Sequence, residues 1–90
     1  MTNTFKSVED VYGVARLLRD RLAALGEDRA AKELDDTMAN FWTTASEALG
    51  EIKLSLLQVR PVVEKALGTD DLKLLDSAVS GTTSLWNEGS

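Results

Sequence analysis

Two carboxylates spaced four residues apart, Glu47 and Glu51, are the first candidates for chemistry in this chain. On a helix, side chains at positions i and i+4 share one face, so the two negative charges would repel each other. A divalent cation such as calcium or manganese could relieve that repulsion, and so could a basic partner protein. Because exposed carboxylates are usually just solvated, we predict no metal site and no cofactor, and we interpret the pair as a candidate partner-binding site.

A second candidate site consists of Arg16 and Arg19, which are three residues apart and therefore neighbours on a helix. Lys6 adds positive charge to this part of the chain, and such clusters can bind nucleic-acid phosphates. The whole chain nevertheless carries a net charge of −5, which repels nucleic acid and anionic lipid. We therefore favour neither nucleic acid nor membrane as a partner, and a nucleic-acid-linked regulator acting through these arginines is the alternative function.

The adjacent aromatic residues Phe41 and Trp42 form a third candidate. Phe41 falls on the apolar stripe of a predicted helix, so we expect it in the core. Trp42 points about 100° away around that helix. It could widen the core contact or anchor a partner, because tryptophan is enriched in interface hot spots. We expect Trp86, near the end of the last helix, to cover one end of the bundle.

Catalysis is disfavoured by what the composition lacks, since the chain contains neither histidine nor cysteine. A Ser-His or Cys-His nucleophile cannot be built without them, and the Glu-x-x-His pairs of helical di-metal sites cannot occur. We therefore predict that the protein is not an enzyme. No secretory signal or run of roughly 20 apolar residues is present, and the missing cysteines suit a reducing compartment, so we expect a cytoplasmic protein.

The elements that must position these residues are helices, because apolar residues recur at helical spacing and no stretch alternates with period two. The first predicted helix covers 8–25 and ends at Gly26. The second covers 28–60, with a division at Gly50 as the alternative. Its apolar stripe consists of Ala31, Leu34, Met38, Phe41, Ala45, Ala48 and Ile52.

The phrase Ala-Leu-Gly occurs at 24–26, 48–50 and 66–68, each time with a glycine that could end a helix. We favour a helix that runs through Gly50, because no residue suited to starting a new helix follows it. Pro61 predicts a kink or break, followed by helices at 62–67 and 70–86. With loose tails at 1–6 and 87–90, the chain is predicted to form one domain, an all-α, small antiparallel bundle of three to four helices.

A continuous helix over 28–60 would be roughly 48 Å long and would leave apolar surface uncovered, which predicts pairing of two chains into a homodimer. A turn at Gly50 would instead give a compact monomer. We predict a non-catalytic protein–protein interaction module: a small acidic helical adaptor, or an inhibitor or chaperone-like protein. Its expected partners are a second copy of itself and a basic protein.

Overall fold

Two of the four helices are followed by a glycine that turns the chain, Gly26 and Gly68. The computed structural model describes residues 5–89, and its four helices are α1 (Val8–Ala24), α2 (Asp28–Ala39), α3 (Ala45–Ala66) and α4 (Thr69–Gly89). Gly26 and Gly68 have φ angles of 80° and 98°, the left-handed conformation that glycine adopts without strain. At Gly26 the backbone forms a Schellman motif, in which Glu27 N–H donates to the Leu22 carbonyl oxygen at 2.9 Å. The predicted all-α bundle is confirmed.

The predicted helix over 28–60 is wrong, because the chain turns at residues 40–44 and not at Gly50. Asn40 has an extended backbone that ends α2. Thr44 then caps α3, since its hydroxyl oxygen accepts a hydrogen bond from Glu47 N–H at 3.1 Å. Gly50 lies inside α3, so the prediction of a helix that continues through Gly50 is confirmed.

Of the kink or break predicted at Pro61, the break is wrong, because α3 continues through it to Ala66, and the kink stays a prediction. A proline inside a helix removes one backbone donor and crowds the carbonyl group four residues earlier. Pro61 lies on the exposed side of α3. A freed carbonyl group on that side can bond to water, so the helix is not forced to end there.

The core lies between α1 and α3, which contact each other and both of the other helices, whereas α2 and α4 have no mutual contact within the described chain. The radius of gyration is 12.3 Å, as expected for a compact chain of this length. The elongated single-chain architecture that motivated the predicted homodimer is therefore wrong, and the pairing itself stays a prediction.

No helix within residues 5–89 has the length and apolar character needed to cross a bilayer. Completely buried side chains form the centre of the core: Val11, Leu18, Leu22, Leu34, Ile52, Leu56, Val63 and Leu75.

A buried polar contact fixes α2 against α3. The Ser55 hydroxyl donates to the Glu33 carboxylate at 2.9 Å and lies against the Thr37 hydroxyl. The Thr37 hydroxyl also donates to the Glu33 backbone carbonyl oxygen at 3.2 Å. Ser55 and Thr37 are buried, so these bonds satisfy polar groups that would otherwise destabilise the interface.

The small residues of α4 accommodate the segment before α1. A Cβ atom added at Gly81 would lie 2.6 Å from the Phe5 ring, so only glycine permits this approach. The backbone N–H of Lys6 donates to the Asp10 carboxylate at 2.7 Å.

At the C-terminal end, the tail predicted at 87–90 is helical as far as Gly89. The remaining predicted tail residues, 1–4 and 90, lie outside the described residues.

Candidate functional site

The outward side of α3 carries a line of exposed apolar residues. Leu54 is 54% exposed and Leu57 is 43% exposed, and Pro61 is exposed one turn further on. Their spacing of three and four residues places them on one side of the helix, opposite the buried Ile52 and Val63. We call Leu54, Leu57 and Pro61 the α3 face.

A cleft of about 270 Å³ between α3 and α4 continues this face toward the start of α3. Gly50 lies one helical turn before Leu54, and a Cβ atom added there would be 4.0 Å from the Trp86 ring. Trp86, 48% exposed, therefore lies beside the second turn of α3. The Lys53 ammonium donates to the Thr83 hydroxyl at 3.3 Å at the border of the cleft. The cleft is lined by Leu49, Gly50, Lys53, Thr82, Thr83 and Trp86.

The predicted carboxylate pair, Glu47 and Glu51, lies exposed on the first two turns of α3. Glu47 has a structural role as well, because its carboxylate accepts from the Thr44 hydroxyl at 3.4 Å while its backbone N–H donates to the same hydroxyl oxygen. The Thr44 hydroxyl therefore caps the start of α3 and also holds the Glu47 side chain. Among the described side chains, no group of three or more acidic residues is placed to hold a metal ion.

The two predicted arginines are close together on α1, but each is paired with carboxylates. Arg16 lies 3.2 Å from Glu9, and Arg19 lies 3.1 Å from Asp20 and 2.8 Å from Asp35. The hydrogen bonds to Asp20 and then Asp35 raise the pKa of the Arg19 guanidinium above its usual value. These carboxylates offset the positive potential that a phosphate group would need.

The two adjacent aromatic residues have opposite environments. Phe41 is 97% exposed, so its predicted place in the core is wrong: the helix ends at Ala39 and the helical stripe no longer applies. Trp42 is half-buried, and its indole N–H donates to the Thr37 carbonyl oxygen at 3.0 Å. Burial raises the pKa of the Tyr12 phenol above its usual value. A role for Trp42 in binding a partner stays a prediction.

Sequence reasoning missed the α3 face, although a signal was present. Leu54, Leu56, Leu57 and Val59 are too closely spaced for all of them to lie on one side of a helix. Because Leu56 and Val59 are buried, the other two residues must point away from the core. The structure does not join the two predicted charged sites, since Arg16 and Arg19 pair with Glu9, Asp20 and Asp35 and not with the carboxylates on α3.

Comparison with protein-family models, with curated proteins and with solved structures finds no match for this chain. The candidate site therefore depends on geometry alone. Its parts are the α3 face, the Trp86 cleft that continues it, and the acidic flank formed by Glu47 and Glu51.

Proposed function

We propose that this chain is a non-catalytic protein–protein interaction module that binds a helix of another protein chain along the α3 face. One observation carries the proposal: two exposed leucines and a proline lie in line and lead into a cleft beside an exposed tryptophan. Single exposed leucines are ordinary on protein surfaces. A continuous apolar surface bordered by charged residues is instead typical of an interaction site.

The shape of the site suits a helix laid into a shallow groove. Leu54 and Leu57 would contact apolar residues spaced three or four apart on the bound helix. The cleft, at about 270 Å³, is slightly smaller than the roughly 300–1,000 Å³ typical of small-molecule sites. It therefore suits a single large side chain that packs against Trp86, as hot-spot residues do.

The charges beside the α3 face favour a partner with basic residues on its borders. Glu47 and Glu51 are exposed along one side of it, and complementary charge improves specificity and association rate. This supports an adaptor, or an inhibitor that covers a basic surface, and we propose the cytoplasm as its location. The alternative, a nucleic-acid-linked regulator, gains no support from Arg16 and Arg19, because both are paired with carboxylates.

A displayed library of helical peptides, selected on the immobilised protein, tests the proposal. We expect enrichment of peptides with apolar residues three or four apart. The affinity of these peptides should fall about tenfold or more for Leu54→Ser/Leu57→Ser, because binding would no longer bury the apolar surface of two leucines. The control is Leu25→Ser, which changes a leucine that is 58% exposed at the end of α1. The proposal is wrong if no peptide is enriched, or if the double variant binds as well as the control.

A further inference from the structure

The geometry points to a second copy of this chain as the partner of the α3 face, with the two α3 helices antiparallel about a two-fold axis between Leu54 and Leu57. This inference rests on the proposed function and names the partner at the same site. It follows from how charge is distributed along α3 and from the symmetry of the apolar residues.

Opposite charges lie at opposite ends of one flank of the α3 face. Glu47 and Lys65 are both exposed. They are 18 residues apart in the sequence, which is about five complete turns of an α-helix, so they project in the same direction. Within the described chain, Lys65 and Glu51 form no ion pair. The flank is therefore negative near the start of α3 and positive near its end.

Antiparallel pairing makes this flank complementary to itself. With the two-fold axis at the midpoint of Leu54 and Leu57, each of these leucines faces the other leucine of the second copy. The same operation places Glu47 at the level of Glu64 of the second copy, one residue, or about 1.5 Å along the axis, from Lys65 of that copy. Glu64 projects about 100° away from Lys65 around the helix, toward the other flank of the α3 face, so the neighbour of Glu47 on its own flank is Lys65. Symmetry produces this pair twice, and the two helix dipoles run in opposite directions.

Parallel pairing has the opposite electrostatic effect. It would bring Glu47 of one copy to the level of Glu47 of the other, and likewise Glu51, so like charges would lie at the same level. The positive ends of the two helix dipoles would also lie side by side. A helix of 22 residues offers less contact than the roughly 800 Å² per partner of a standard interface. We therefore expect a weak antiparallel dimer, with a dissociation constant of about 0.1–1 mM.

Sedimentation equilibrium of the full chain over about 10 μM to 1 mM tests the inference. Wild type and Leu25→Ser should dimerise equally, and Leu54→Ser/Leu57→Ser should be monomeric. Glu47→Lys and Lys65→Glu should each weaken the dimer about fivefold, because two attractive pairs become repulsive. The double variant Glu47→Lys/Lys65→Glu should recover wild-type affinity. Circular dichroism confirms that each variant is folded.

Orientation has its own readout, because the chain has no natural cysteine. A mixture of Glu47→Cys and Lys65→Cys chains should form the mixed disulfide faster than either chain cross-links with itself. Faster self-linking of Glu47→Cys chains would overturn the antiparallel arrangement, as would failure of the charge swap to recover affinity. A wild type that is monomeric at 1 mM, or a dimer unaffected by the leucine variant, would overturn the inference. If helical peptides still bound the α3 face, the proposed function would stand without it.

Discussion

The contact between Phe5 and Gly81 gives a prediction whose sign depends on a second residue. Gly13 and Gly81 both lie inside helices, and positive φ angles among the described residues are confined to Gly26 and Gly68. Alanine in place of a helical glycine usually stabilises a protein by about 0.5–1 kcal/mol. At Gly13, an added Cβ would have no neighbour within 4 Å, so Gly13→Ala should show the whole gain.

At Gly81 the same substitution must displace Phe5, because the new Cβ would lie 2.6 Å from its ring. Full burial of a phenylalanine is worth about 1.5–3 kcal/mol. Phe5 is only partly buried, so its displacement should cost about 1–1.5 kcal/mol. The gain in helix propensity and this loss nearly cancel, and Gly81→Ala should change the free energy of unfolding by between about 0 and −1 kcal/mol.

In a Phe5→Ala background, Gly81→Ala should instead stabilise by up to about 1 kcal/mol, or about 4–8 °C in Tm for a domain of this size. The expected coupling between the two positions is therefore the cost of displacing Phe5, about 1–1.5 kcal/mol in a double-mutant cycle. Urea and thermal unfolding, followed by far-ultraviolet circular dichroism, measure all four proteins. Equal stabilisation by Gly81→Ala in both backgrounds would refute the reasoning, since Phe5 would then not occupy this position.

Three further predictions concern ionisable side chains. Asp71 is buried and pairs with Arg21, so Asp71→Asn should destabilise by about 1–2 kcal/mol in urea unfolding, whereas Glu9→Gln, at an exposed pair, should change stability by less than about 0.5 kcal/mol. Tyr12 is the single tyrosine, and burial raises its pKa above 10.0. A titration followed by phenolate absorbance should show this raised pKa. The free energy of unfolding should fall as pH rises from 10.0 through the higher folded-state pKa. Arg60 holds the pKa of Asp76 below its usual 3.8, so the stabilisation is complete above 3.8 and is lost as pH falls through the folded-state value, and Asp76→Asn should flatten the acid limb of a stability profile. A phenol that titrates at its ordinary pKa would contradict the Tyr12 prediction. An acid limb that is the same in Asp76→Asn and in wild type would contradict the Asp76 prediction.

Local signals predicted the helix ends that depend on a few neighbouring residues. Gly26 and Gly68 mark turns because the left-handed conformation is favourable for glycine. The turn at 40–44 had a local signal too, since Thr44 and Glu47 have the spacing of a capping box. That signal competed with an apolar stripe that continues in register through Phe41. Only tertiary packing decides between them, because the Ser55 and Glu33 contact requires α2 to fold back onto α3.

The site was harder to predict than the fold, because a sequence pattern shows that a residue is apolar without showing what covers it. Leu54 and Leu57 differ from the buried Leu56 only in their direction around α3. Their identification therefore required the positions of α2 and α4, which determine the covered sides of α3. Arg16 and Arg19 show the same dependence, since Asp35, which pairs with Arg19, comes from another helix.

The energy available on the α3 face determines what kind of interaction it can support. Leu54 and Leu57 are each about half exposed, so complete burial should yield about 1 kcal/mol for each, or about 4 kcal/mol for the four leucines of a symmetric pair. A dissociation constant of 1 mM corresponds to about 4.1 kcal/mol, and association has its own entropic cost. The leucines alone are therefore insufficient, and Trp86 and the Glu47–Lys65 pairs must contribute the remainder. A dimer this weak exchanges readily, so a helix from another protein with a basic residue opposite Glu47 would compete for the same face.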